Sequence, residues 1–109
     1  MADALSELEQ LVLLALLRLG PDAYGVSITD EITTTAGRPM SIGAVYKALA
    51  RLEERGHVEG RTGRPTPERG GRRKRHYRLR PAGREALAGA LQAIRRMAHG
   101  IDGLIEGGP

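Results

Sequence analysis

Residues Leu8 to Leu19 are apolar on almost every side of a helix. Leu8, Leu11, Val12, Leu13, Leu14, Ala15, Leu16, Leu17 and Leu19 leave Glu9, Gln10 and Arg18 as the only polar interruptions. A helix without a polar face has to be covered on more than one side. A chain of 109 residues offers few elements to do this, so a second copy of the chain is the expected lid. Ser6 and Glu9 have the spacing of a capping box, which predicts a helix over Leu5 to Leu19. The apolar run is too short to span a bilayer. The acidic N-terminus carries no basic region ahead of it, so no leader is expected and a cytoplasmic location is the default. Phe, Trp and Cys are absent and only three Tyr occur. The core must therefore be aliphatic, and disulfides and thiolate metal sites are excluded.

Gly20-Pro21-Asp22 ends this helix, and Asp22 is placed to cap a second one over about Ala23 to Thr35. Tyr24, Ile28 and Ile32 share a face of that helix, flanked by Val26. Gly25 allows close approach of another backbone, and the Thr33 to Thr35 run predicts fraying. Gly37-Arg38-Pro39 then leads into SIGAVYKALARLEERG, Ser41 to Gly56. Ile42, Val45, Leu49 and Leu52 form an inward face, with Ser41 as N-cap and Gly56 as the terminating glycine. Gly43, Ala44, Lys47, Ala50, Arg51 and Glu54 lie opposite. The first turn of that outer face is nearly bare and the next two carry cations, a surface that can press against something flat and negative. Tyr46 falls at the edge of the apolar face, where its ring can pack and its hydroxyl reach outward. Two helices joined by a short Gly-containing turn, the second with this outer face, read as a helix-turn-helix.

Beyond Gly56 the pattern changes. His57 to Thr62 is short and extended, Gly63 to Gly71 (GRPTPERGG) is a loop, and KRHYRLR, Lys74 to Arg80, alternates as a half-buried strand with Tyr77 and Leu79 inward. The result is a hairpin beside the third helix, hence a winged helix. The chain's net charge is only +4, but residues 61–80 hold nine Lys/Arg against Glu68 alone. The remaining 89 residues hold eight Lys/Arg and twelve Asp/Glu. The basicity is thus concentrated in the wing, as a nucleic-acid contact requires.

Pro81 suits the first turn of a last helix, Ala82 to about Glu106. Leu87, Leu91, Ile94, Ala98, Ile101 and Ile105 recur at spacings of four and three, a heptad seam widened by Ala90, Met97 and Leu104. That helix would be about 35 Å long. With several glycines in it, it needs a partner, and the expected one is a dimer built from this seam together with Leu11 and Leu14 of the first helix.

No catalytic pattern is present. Gly70-Gly71 is not followed by Gly-Lys-Ser/Thr, no Ser lies in a Gly-x-Ser-x-Gly elbow, and Asp30 and Glu31 point in different directions on a helix. His57 and His76 could face each other across the hairpin, but without further ligands they read as ordinary histidines, like His99. No enzyme activity, metal or cofactor is expected. A winged helix that binds RNA or another protein is the alternative class. Single-stranded RNA recognition favours clustered aromatics, which this chain lacks, and a protein-docking role leaves the basic wing unused.

The segments LSELEQLVLLALL, LGPDAYGVSITDEI, SIGAVYKALARLEERGHVEG and GGRRKRHYRLRPAGREAL together resemble the PadR-like family of bacterial transcription regulators over nearly the whole chain. The resemblance implies a mainly α fold with a small β-hairpin: a winged helix-turn-helix DNA-binding domain over residues 1–80, and a C-terminal dimerisation helix over 81–109 in the same compact unit. It implies a homodimer that represses or regulates promoters; a repressor is expected here, with the two-fold dimer calling for double-stranded DNA with an inverted repeat and nucleoid association when bound. Tyr46, Lys47 and Arg51 would then face the major groove or its phosphates, with Ser41, Gly43 and Ala44 at the approaching helix end. Arg69, Gly71, Arg72, Arg73, Lys74 and Arg75 would approach the adjoining backbone. Two departures stand out. Arg80 replaces the Thr that commonly caps the last helix, which predicts a looser start. Some short relatives bind flat aromatic drugs between tryptophans in a dimer pore, and this chain has no Trp. A small-molecule effector is neither identified nor excluded.

Overall fold

The computed structural model describes residues 4–65, 73–101 and 103–106. Its order is α1 (Glu7–Leu19), α2 (Gly25–Thr35), α3 (Ile42–Glu54), β1 (Val58–Pro65), β2 (Arg73–Leu79), α4 (Pro81–Ala98) and α5 (Gly103–Glu106), with a 3-10 turn at Gly20–Asp22. The fold is the expected winged helix-turn-helix with a trailing helix.

α1 begins with the predicted capping box. Ser6 Oγ accepts from the Glu9 N–H at 3.1 Å, and the Ser6 N–H donates to Glu9 Oε1 at 2.8 Å. Val12, Leu13, Ala15 and Leu16 are buried from this helix, and Ile28 and Ile32 come from α2. Val45, Ala48, Leu49 and Leu52 come from α3, and Val58, Tyr77 and Leu87 complete a largely aliphatic core. Ile42, expected in that core, is 41% exposed. It is the first residue of α3, and Ala48 takes the extra inward place.

The turn between α1 and α2 differs from expectation. Asp22 closes the 3-10 turn and Tyr24 is the N-cap of α2. Ser27 Oγ accepts from the Tyr24 N–H at 3.0 Å and donates to the Asp22 carbonyl at 2.6 Å. α2 runs intact to Thr35 despite the Thr33 to Thr35 run. Tertiary contact outweighs intrinsic propensity here.

β1 and β2 pair antiparallel, Val58 opposite Leu79 and Gly60 opposite Tyr77, with an irregularity between Thr62 and Pro65. His76 lies opposite Arg61, so His57 and His76 do not face each other. Among the described residues, no group of three or more His, Asp or Glu could hold a metal. Tyr24 adds an isolated bridge to His76, and the Tyr77 N–H donates to the Ala23 carbonyl at 2.9 Å. The wing is thereby fixed to the entry of α2.

α4 starts firmly without a threonine cap. Arg80 makes no side-chain cap, but its N–H donates to the His57 carbonyl at 2.9 Å, and Pro81 opens the helix. A Cβ on Gly83 would collide with that same carbonyl. Only glycine lets the first turn of α4 lie this close to the start of β1. The continuous helix to Glu106 is not formed. α4 ends at Ala98, His99 is extended and Gly100 has φ +87°, a conformation that favours glycine. The 18-residue helix is about 27 Å long. Among the described residues no helix is long and apolar enough to cross a membrane.

Candidate nucleic-acid interface

The candidate site is the outer face of α3 together with the hairpin. Ser41 Oγ accepts from the Ala44 N–H at 3.1 Å and fixes the start of α3. Gly43 has open space around its Cβ position, Lys47 is exposed and Ala44 is half-buried. The first turn is therefore an unobstructed helix end.

Tyr46 is 46% exposed and lies over Gly25. A Cβ at Gly25 would collide with the Tyr46 hydroxyl and ring. This explains the glycine at the start of α2. It lets an aromatic ring on α3 rest against the backbone of α2, setting the packing of the two helices. Gly25 thus admits a protein side chain, not an outside backbone.

Arg51 is half exposed, and its Nε donates to Glu9 Oε2 at 3.1 Å. Arg55, one turn on, donates to the same oxygen at 2.6 Å. Glu9 itself is 3% exposed at its side chain. Burial pushes its carboxyl up. The Ser6 N–H and the Arg55 and Arg51 guanidiniums outweigh that and hold it at about 2. Sequence reading assigned Glu9 to a local cap. Its second role, an ion pair to a helix more than 40 residues away, has no local signal.

The wing divides its side chains between its two faces, as a period of two requires. On one face Arg75 Nη2 donates to Glu53 Oε2 at 2.6 Å, lies over Gly60, and is 5.7 Å from the centroid of the buried Tyr77 ring. Glu53 belongs to α3, so Arg75 ties the wing to that helix. The Arg75 guanidinium is raised by the charge of Glu53. On the other face Lys74 Nζ is 4.4 Å from the centroid of the Tyr24 ring, and His76 meets the same ring edge-on at 5.5 Å. Arg78 pairs with Glu59 at 2.7 Å and Arg80 approaches it at 4.0 Å. Carboxylates outside the basic stretch therefore offset charge at the base of the hairpin. Arg69, Gly71 and Arg72 lie outside the described residues, and Arg73 is described by its backbone as the first residue of β2.

The expected dimer residues separate into two groups. Leu87 is 3% exposed within the core of its own chain, and Leu11 and Leu14 are half-buried. Leu91, Ile94, Met97, Ile101 and Leu104 are exposed, Met97 by 80%, and Ala98 is half-buried. Ile105 falls in α5, with its side chain outside the described residues.

The model of the transcriptional regulator PadR-like family matches residues 13–89. The chain belongs to the PadR-like family. PadR-like proteins are transcriptional regulators and not enzymes. The fold is similar to a transcriptional regulator from Clostridium thermocellum (TM-score 0.71, 22% identity, 90% of this chain and 89% of that one). It is similar too to a PadR family transcriptional regulator from Eggerthella lenta (TM-score 0.67, 24% identity, 91% and 84%). Bacillus subtilis PadR, solved in complex with operator DNA, matches at TM-score 0.68 and 24% identity, over 80% of this chain and 48% of that one. An uncharacterized 37.1 kDa protein in a transposon of Streptomyces fradiae is 36% identical over 89 residues, 82% of this chain. The chain spans 24% of the length of that curated relative.

Proposed function

We propose that this PadR-like chain binds double-stranded DNA sequence-specifically and represses transcription as a cytoplasmic homodimer. The supporting observation is the outer face of α3. A bare, capped first turn is followed by Lys47 and Arg51, with Tyr46 anchored on Gly25 and a basic hairpin tied alongside through Arg75 and Glu53. An α3 end of this kind fits a major groove about 12 Å wide. Arg51 is suited to bidentate contact with guanine, Lys47 to a phosphate or a base, and the wing to the backbone.

Dimerisation is supported by the apolar face that α4 leaves open at Leu91, Ile94 and Met97, continued by Ile101 and Leu104. A groove of about 340 Å³ between α1 and α2, bordered by Leu11, Leu14 and Leu17, is an apolar surface of the complementary kind. In this reading residues 1–80 form the DNA-binding domain and residues 81–109 the dimerisation segment. A two-fold dimer asks for an inverted repeat with half-sites about one helical turn or a multiple apart.

The test is selection of genomic fragments by the purified protein, footprinting of the enriched sites, and light scattering of the free protein. An inverted repeat bound by a dimer is the expected result. Preference for structured RNA over duplex DNA, or a stable monomer at micromolar concentration, would refute it.

A further inference from the structure

Glu9 is the one buried carboxylate among the described residues, and the proposed function leaves it unused. It belongs to the first turn of α1, whose other buried residues are aliphatic. Burying a carboxylate is costly unless it is paired, and a capping box works at an exposed helix start. Capping alone therefore does not account for its burial. Its Oε1 serves the cap, accepting from the Ser6 N–H at 2.8 Å. Its Oε2 accepts from Arg51 Nε at 3.1 Å and Arg55 Nη2 at 2.6 Å. Arg51 lies in the last turn of α3 and Arg55 is its C-cap, four residues on, so one carboxylate holds both against α1.

We infer that Glu9 is a positioning residue for base recognition, gripping Arg51 by its Nε edge so that the terminal amino groups are presented from α3 in one pose. The inference rests on the reading of α3 as the helix that contacts DNA. A guanidinium is planar, so a hydrogen bond at Nε restricts the plane as well as the place of the group. Arg51 still keeps 51% of its side-chain surface exposed, and a side chain ordered before binding loses less freedom on binding. Glu9 also offsets cationic charge next to α3. Its removal therefore has two effects of opposite sign. Discrimination between sequences falls because Arg51 is no longer held, while attraction to any duplex stays level or rises because a negative charge is gone.

The experiment compares full-length wild type with Glu9→Gln on the selected duplex and on a scrambled duplex of equal length. Salt is fixed, and the temperature is one at which circular dichroism shows both proteins folded. The ratio of scrambled to selected Kd should fall roughly fivefold or more, the lower end of what one bidentate arginine–base contact contributes. Affinity for the scrambled duplex should not fall. In an Arg51→Ala background, Glu9→Gln should change the ratio no further. A loss of affinity through poor folding would instead weaken both duplexes together. As a second measurement, nitrogen-15 NMR of the unmodified protein should show the Arg51 Nε–H protected from exchange with water, both free and on the duplex. An unchanged ratio in folded Glu9→Gln, a further drop in the Arg51→Ala background, or an Arg51 Nε–H that exchanges like an exposed arginine would each overturn the inference. If wild type itself shows no preference between the duplexes, the DNA-reading assignment fails first, an outcome visible without any substitution.

Discussion

Glu9→Gln keeps the shape of the side chain and removes its charge, and its effect on stability can be worked from the site. The native carboxyl is held at about 2, against an ordinary 4.5. The Ser6 N–H and the two guanidiniums together therefore contribute about 3 kcal/mol at neutral pH, since each unit of difference is worth about 1.4 kcal/mol. Loss of one partner from a buried pair costs a similar amount, about 3–5 kcal/mol. The native value is depressed, so this stabilisation is fully present above pH 4.5 and is lost as the pH falls towards 2. Roughly half should remain at pH 3. The assay is urea unfolding followed by circular dichroism at pH 7, 5, 4 and 3, with wild type and variant at one protein concentration because a dimer's stability depends on it. Other carboxyls, including Glu7 and Glu31, which Arg38 and the Thr35 and Arg18 contacts also lower, cancel in the difference. A gap of about 3 kcal/mol at pH 7 that narrows on acidification is the expected result. A gap that stays constant from pH 7 to pH 3, or one below about 1 kcal/mol at neutrality, would show that the paired charge is not what Glu9 contributes.

Gly25→Ala drives a methyl group into the Tyr46 ring and should cost about 1–3 kcal/mol; thermal unfolding of Gly25→Ala/Tyr46→Ala should show the added methyl no longer destabilising relative to Tyr46→Ala alone. Gly83→Ala meets the His57 carbonyl and should destabilise by a similar ~1–3 kcal/mol, whereas Gly89→Ala, with open space at its Cβ, should stabilise α4 by up to about 1 kcal/mol, both read by chemical denaturation. Leu91→Asp places a charge on the open face of α4 and should yield a monomer or an insoluble chain by light scattering. Arg72→Ala/Arg73→Ala should flatten the slope of log K against log salt by about 3–4 units in a dimer if each arginine meets a phosphate, with the ranking of duplex sequences unchanged in a gel-shift titration.

The sequence alone settled the elements whose signals are local. Period and capping residues place α1 and α3 to within two residues, because Ser6 with Glu9 and Ser41 with Ala44 satisfy their own helix starts. Alternation across KRHYRLR places β2, since a two-residue period assigns faces without reference to any neighbour. What tertiary structure decided is where those faces meet. Ile42 matches the apolar period but is left exposed at the start of α3, and Leu87 matches the heptad but is enclosed in its own chain. The seam predicts one helix through Ile105, yet periodicity carries no information about the backbone at Gly100, whose left-handed conformation ends α4. Gly25 and Gly83 look like flexible positions in sequence, and only packing shows which side chain or carbonyl each one admits. Glu9 is the clearest case. Its cap depends on residues three apart and can be read directly, whereas its hold on Arg51 and Arg55 exists only because the core brings α3 against α1. Charge summed along the chain likewise placed the basic wing, but Glu53 and Glu59 offset its base through contacts across the fold that a local sum does not count.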